Sequence, residues 1–424
     1  VAEVMAAPEA GGAEQRLRSD TLLTSLSGLF LYGLSAITGP LLARSLGPAG
    51  RGDLAAVLVP SEMLGWALLF GMHIAAVYHA DDYPHRQLVM GSWVFSLLAG
   101  GAVVTVGWFL VPPYLHGHSP ETVPWLRTML VVAVLFVPVT TAMHLLRTRP
   151  TMMAFNVFKS VQLVIESVLI IAFDVAGHLT LTTALWAALI SQVVWYVSLL
   201  TYAKAWPSLE FRLSTMRTQL SYGSRLVVAD LSGLAIARLD QFILVGVVAS
   251  AKLGEYTVAA TAAGVSQATA TGIALVMFSR VRRARDPADG WAAMMVGVRW
   301  TLLSSSLIGI AVAVLAPVAL PLLFGSAFRG AITPLWLLIP GEVAFDVGNA
   351  ISQKLMADNR PATVSRAMAL AAIVTVVGLA ITVHPWGIIG AAIVTSVSQF
   401  VFLGYLWVAV VRHHRAVLAG QTVS

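Results

Sequence analysis

A chain of 424 residues in which 58% of side chains are hydrophobic and 11% charged cannot fold as a soluble domain, where about 25% are charged. Its mean hydropathy is +0.82, and its length accommodates ~12 membrane spans of about 20 apolar residues with short connections. The net charge of +6 lies between apolar runs, where it sets topology and meets anionic lipid rather than nucleic acid, and the absence of cysteine excludes disulfides, thiol catalysis and thiolate metal sites.

Val1 to Gly12 is small and acidic and precedes Gln15-Arg16-Leu17-Arg18. A cleavable signal puts basic residues first, so the first apolar run is expected to be a retained helix. Apolar runs predict spans near 21–45, 54–79, 88–113, 125–146, 153–175 and 179–203, then 221–247, 256–279, 291–323, 332–357, 362–384 and 387–411. The fold class is therefore an all-α polytopic membrane protein of about twelve transmembrane helices. The expected organisation is a tail at 1–20, a six-helix bundle at 21–203, a linker at 204–220, a second six-helix bundle at 221–411 and a tail at 412–424.

Lys and Arg fall in alternate breaks. One set holds Arg16, Arg18, Arg86, Arg147, Arg149, Lys204, Arg212, Arg217, Arg280, Arg282, Arg283, Arg285, Arg360, Arg412 and Arg415; the other holds Arg44, Arg51, Lys252 and Arg329. Fifteen against four predicts that both termini are cytoplasmic, in a cell membrane, and requires an even number of spans.

Ionisable groups within spans are costly, so each marks a cavity or a buried partner. In span two Glu62 follows Pro60, with Gly65 and Gly71 beyond, and this helix is expected to bend; His73 reads as a buried hydrogen-bonded group. Span five carries Lys159, Gln162 and Glu166 on one face, with Lys159 near enough to the edge to snorkel. Span seven carries Asp230, Arg238 and Asp240. Arg238 is the first candidate for a substrate phosphate, because guanidinium binds phosphate oxygens bidentately; an internal ion pair is the alternative. Arg280 to Arg285 reads as a topology determinant. Arg299 lies about 12 Å along span nine from the cytoplasmic start and needs a partner or a phosphate. Span ten sets Glu342, Asp346, Asn349 and Gln353 on one face, as a cavity wall, a coupling-ion site or a hydrogen-bonded packing face. Lys354 and Arg366 flank the next loop and could line a cytoplasmic entrance.

The substrate candidates are thus Arg238, Arg299, Lys159, Lys354 and Arg366. The ion-coupling candidates are Glu342, Asp346, Asp230, Glu62, Glu166 and Asp240. No catalytic set, metal-ligand spacing or Walker loop is present, so no cofactor is expected, and a proton or Na⁺ gradient or the membrane potential is the expected drive.

The chain repeats itself. Gly52-Asp53-Leu54 matches Gly254-Glu255-Tyr256, Pro113-Tyr114-Leu115-His116-Gly117 matches Pro321-Leu322-Leu323-Phe324-Gly325, and Arg149-Pro150 matches Arg360-Pro361. The order is kept while the offset drifts from 202 through 208 to 211. A duplicated six-helix unit gives two pseudo-symmetric halves of like orientation, with substrate expected between them near the midplane.

The same residues carry a resemblance. Ala43-Arg44-Ser45-Leu46-Gly47-Pro48-Ala49-Gly50-Arg51-Gly52 resembles the segment after the first helix of polysaccharide flippases. Arg238-Leu239-Asp240-Gln241 followed by Leu253-Gly254-Glu255-Tyr256, and Leu323-Phe324-Gly325 followed by Asp358-Asn359-Arg360-Pro361, are similar to later motifs of that family, the oligosaccharide flippase branch of the multidrug/oligosaccharidyl-lipid/polysaccharide exporter (MOP) superfamily. Asn359 stands where glycine is common, and twelve spans suit the O-antigen and capsule-type branch better than the fourteen typical of the lipid II flippase. The resemblance implies a MATE-like fold and alternating access. It further implies a polyprenyl-diphosphate-linked oligosaccharide cargo moved from inner to outer leaflet for surface polysaccharide or lipopolysaccharide synthesis, with a polymerase and glycosyltransferases as partners. A cation-coupled multidrug exporter or a non-transporting scaffold of a polysaccharide-assembly complex are the other readings.

Overall fold

A computed structural model describes residues 10–149, 152–284 and 286–419. The ends of both expected tails, Pro150 of the third repeat match and Arg285 of the arginine run lie outside the described residues. Every regular element among the described residues is helical. Among the described residues nine helical runs are long and apolar enough to cross a membrane. Two of these are each two helices joined at a kink, at Gly47 (φ 64°) and Gly387 (φ 53°), and the helix Val227–Val247 adds another. The described residues thus form about twelve spans of a multi-pass membrane protein.

Spans 1 and 2 are residues 10–46 and 48–78; spans 3 to 6 are His85–Tyr114, Thr122–Thr148, Met153–Val175 and Leu181–Ala203. Spans 7 to 10 are Val227–Val247, Ser250–Arg282, Pro287–Phe324 and Ile332–Ala357, and spans 11 and 12 are 361–386 and 388–418. Span 2 runs straight through Pro60 and breaks instead at Phe70 (φ 46°) and Gly71 (φ 67°). The residues between spans 6 and 7 hold a short helix, Leu213–Gly223, so the first residues of the predicted seventh span belong to a separate element. Gly71 and Gly223 let this linker helix touch span 2 backbone to backbone: a Cβ on Gly223 would meet the Phe70 carbonyl oxygen at 2.3 Å. Gln219 then donates to the Leu88 carbonyl of span 3 (3.1 Å), which fixes the linker helix to the amino-terminal half.

The apolar packing explains how the halves join. At the end away from the termini one continuous core includes Leu54, Leu126 and Leu185 from the first half and Leu253, Tyr256 and Leu335 from the second. At the end carrying the termini the halves have separate cores, one around Leu88, Trp195 and Leu199, the other around Met294, Leu355 and Phe402. The halves are fused at one end and independent at the other.

The repeat residues make the fusion. Gly52 opens span 2 and Gly254 lies in the first turns of span 8, and the two helices cross there. A Cβ on Gly52 would lie 1.8 Å from the Ser250 carbonyl oxygen, and one on Gly254 1.9 Å from that of Pro48. Next to the crossing, Asp53 accepts from Ser250 Oγ (2.5 Å) and contacts His118 Nδ1 (2.9 Å), while His118 Nε2 donates to the Val245 carbonyl (2.9 Å). Arg44 caps span 9 through the Leu322 and Leu323 carbonyls. Overpacking costs about 1–3 kcal/mol, and a rigid backbone on the other side raises it. Gly52→Ala and Gly254→Ala are therefore each expected to lower the detergent denaturation midpoint, whereas Gly233→Ala, with nothing within 4 Å of the added carbon, is expected to leave it unchanged or higher.

Candidate functional site

Five of the residues singled out in the sequence gather at the divide between the halves or in the cavity beside it. Glu62 of span 2 and Arg238 of span 7 approach to 3.9 Å across the divide, both with about half of the side chain exposed to the space between (53% and 45%). Glu62 also lines a cavity of about 370 Å³ inside the amino-terminal half, together with Lys159, Gln162 and Glu166 of span 5. Lys159 makes no ion pair within 4.0 Å among the described residues, so it neither reaches Glu166 nor is neutralised elsewhere. Arg238 Nη1 also donates to Gln241 Oε1 (3.4 Å), which steers the guanidinium along its own helix.

Arg51 lies within electrostatic range of the cluster, and sequence reading counted it as a loop charge and a motif residue. Its guanidinium feels the charges of Glu166, Arg238 and Glu62, and its Nε is buried without a hydrogen-bond partner. A positional signal for it exists: residues 51, 58, 62 and 66 share one helix face, and Leu58, Glu62 and Trp66 line the same cavity. Gln192 and Trp195 of span 6 line it too and were also missed, although Gln192 is a mid-span amide of the kind flagged at Gln162.

A second cavity, of about 590 Å³, adjoins this cluster through the same two helices. Met63 and Leu64 of span 2 and Leu234 and Leu239 of span 7 are sequence neighbours of Glu62 and Arg238, and they form its walls with spans 3 and 4. No charged side chain lines it. Tyr114 at its far end donates to the Phe242 carbonyl (2.5 Å) and bridges the halves near the fused end.

The carboxylates of the carboxy-terminal half form a different arrangement. Asp240 accepts from Tyr256 of span 8 and Thr395 of span 12 (3.0 Å), and from its neighbour's backbone N–H. Glu342 accepts from Gln267 (2.9 Å) and Gln399 (3.0 Å), and Asp346 from Ser266 and Ser305 (2.7 Å each). The 3₁₀ turn Gly264–Ser266 interrupts span 8 at the point where Ser266 and Gln267 face span 10. Span ten's polar stripe is thus packed against spans 8, 9 and 12. All three carboxylates are held by neutral donors, with no Lys, Arg or His within 4.0 Å among the described residues.

The remaining candidates lie apart. Asp230 sits in the first turn of span 7, half-buried, with Oδ2 unpartnered. Arg299 is exposed on the face that carries Val296, Leu303, Leu307 and Ile310, the lipid side of span 9. Lys354 is buried and paired with Asp358, which also meets His413 Nε2 (3.4 Å). Arg366 lines a groove between spans 11 and 12 with Arg360 and Arg412, at the end that carries the termini. His73 is buried edge-on to His144, with ring centroids 4.7 Å apart.

The profile of a family described as polysaccharide biosynthesis protein matches residues 17–280, more than half of the chain. The chain belongs to this family. No curated protein matches its sequence. Among solved structures, an inward-facing multidrug resistance MATE family transporter of the MOP superfamily is similar over 95% of this chain and 100% of its own, with TM-score 0.75 and 15% identity. The lipid II flippase MurJ, in an inward closed conformation, is similar over 92% of this chain and 87% of its own, with TM-score 0.75 and 14% identity. A MOP superfamily transporter from Pyrococcus furiosus is similar over 95% and 96%, with TM-score 0.56 and 16% identity. This polysaccharide biosynthesis protein therefore has the MOP transporter fold. The segment Ala43–Gly52 carries much of its architecture: Gly47 turns the chain, Arg44 caps span 9, Gly52 receives span 8, and Arg51 lies within electrostatic range of the charged cluster.

Proposed function

We propose that this protein is a flippase that moves polyprenyl-diphosphate-linked oligosaccharides from the inner to the outer leaflet for surface polysaccharide synthesis. The observation that carries the reading is the Glu62 and Arg238 contact between two helices that also wall an apolar chamber. A charged, water-accessible cluster and an apolar chamber share spans 2 and 7, so one ligand with an anionic head and a long apolar tail fits both. Arg238 and Arg51 would meet the diphosphate, and opposite charge lowers the cost of taking it across the bilayer. The halves, joined at one end, would rock to expose the cluster alternately to each side. Asp240, Glu342 and Asp346 would bind the proton or Na⁺ whose gradient drives the cycle. Both termini would be cytoplasmic in the cell membrane, beside polymerase and glycosyltransferase partners.

Glu62 and Glu166 favour a second reading, a cation-coupled exporter of amphipathic drugs, because two carboxylates in the cavity suit a cationic cargo. Purified protein in liposomes loaded with a fluorescent polyprenyl-diphosphate sugar separates the two. Gradient-dependent accessibility of the probe to an external quencher is expected. Drug efflux without lipid movement under any ion gradient would overturn the flippase reading.

Because Lys354 is committed to Asp358 outside the cluster, Lys354→Ala is expected to lower thermal stability by about 1–3 kcal/mol and to leave the initial flipping rate of folded protein near wild type.

A further inference from the structure

The cavity enclosed by spans 2, 4, 5 and 6 has a chemistry that the diphosphate and the tail leave unexplained. Its aromatic wall is continuous: Trp66 and Phe136 have ring centroids 5.4 Å apart, and Phe136 and Trp195 6.3 Å. Opposite and between these rings stand Gln162, Gln192, Glu166 and Lys159. Its charges nearly cancel, with Glu62 and Glu166 against Lys159 and the nearby Arg51. Balanced charge selects neither a cation nor an anion.

Gln162 and Gln192 supply the neutral polar groups of this wall. Gln192 donates to Tyr196 (2.7 Å), which fixes its amide and leaves its carbonyl oxygen available.

We propose that this cavity is a sugar subsite that takes a pyranose ring of the cargo. A pyranose is neutral, its C–H faces carry slight positive charge, and each hydroxyl both donates and accepts. Ring faces attract the first, and amides and carboxylates match the second. The aromatic cavity and the apolar chamber lie on opposite faces of span 2, and the Arg238 and Glu62 contact joins a residue of the cavity to the helix that walls the chamber. Glu62 belongs to both the contact and the cavity, so the sugar would be the one attached to the diphosphate. The inference rests on the flippase reading above and adds where the glycan is recognised.

The test is equilibrium binding of full-length protein in nanodiscs to two probes, polyprenyl diphosphate bearing one hexose and sugar-free polyprenyl diphosphate. Wild type is expected to prefer the sugar-bearing probe by about tenfold or more, since a site built to hydrogen-bond hydroxyls rejects an analogue that lacks them. Gln162→Leu and Gln192→Leu, which keep the volume and remove the amides, are expected to erase that preference. Their affinity for the sugar-free probe is expected to stay within about twofold. Thermal denaturation checks that both variants fold, and Trp66→Leu, which removes a ring face, replaces either one that does not. A wild type without preference, or folded variants that keep it or lose both probes equally, would overturn the sugar subsite while the flippase reading stands. A wild type that binds neither probe would overturn both.

Discussion

Arg238→Ala is expected to reduce flipping of a lipid-linked oligosaccharide by about 30- to 5,000-fold, which is the 2–5 kcal/mol range for losing a desolvated charged hydrogen bond. The fold should survive the change. Arg238 and Glu62 are each about half exposed and meet at 3.9 Å, a pair that contributes on the order of 0–1 kcal/mol to stability. The loss would therefore reflect substrate contact rather than unfolding. Arg238→Lys keeps the charge and loses the planar fork, so it is expected to fall between wild type and alanine. Flipping rates in liposomes, normalised to folded protein, measure both. Full activity in Arg238→Ala would show that the guanidinium serves only as Glu62's partner.

Asp240→Asn is expected to uncouple the cycle from its ion gradient. Asp240 is buried among hydroxyl and backbone donors, so asparagine fits its space and removes the charge. One elementary charge moved through 100 mV is worth about 2.3 kcal/mol, or about 50-fold in rate or accumulation. A folded Asp240→Asn protein should lose acceleration of that order under an imposed gradient and retain slow, gradient-independent equilibration. If the acceleration persists, Glu342→Gln and Asp346→Asn test the two neighbouring carboxylates in the same assay.

The fold was largely legible in the sequence, because a membrane span needs a sustained apolar run and little else. The turn at Gly47-Pro48 and the pairing of Gly52 with Gly254 were legible as motifs, although only the structure shows the two glycines pressed against each other. The bend in span 2 was legible through Gly71, one of the positions named for it, whereas the positive φ of Phe70 beside it was hidden, since a non-glycine residue in that conformation leaves no local signature. The linker helix was hidden as well: it is short, and its contacts depend on Gly71, Gly223 and Gln219, which carry no apolar period. In the candidate site, Glu62, Lys159, Glu166 and Arg238 were found because charge inside a span is conspicuous. Arg51 was passed over because it stands at a helix start, where arginine is ordinary. Sequence periodicity placed Glu342 and Asp346 on one face and left open what that face meets; the answer lies in Ser266, Gln267, Ser305 and Gln399, four neutral residues on three other helices.

The joint between the halves has a property that bulkier contacts lack. Where Gly52 meets Gly254, the surfaces that touch are peptide groups. Glycine has no rotamers to freeze, so separating and rejoining this contact involves no side-chain entropy. A crossing built from interlocked leucines would be slow to disengage and slow to find its register again. In the proposed cycle the halves would turn about this backbone crossing, with the polar contacts of Asp53, His118 and Ser250 and the shared apolar core around Leu54, Leu253 and Tyr256 holding the joint together beside it.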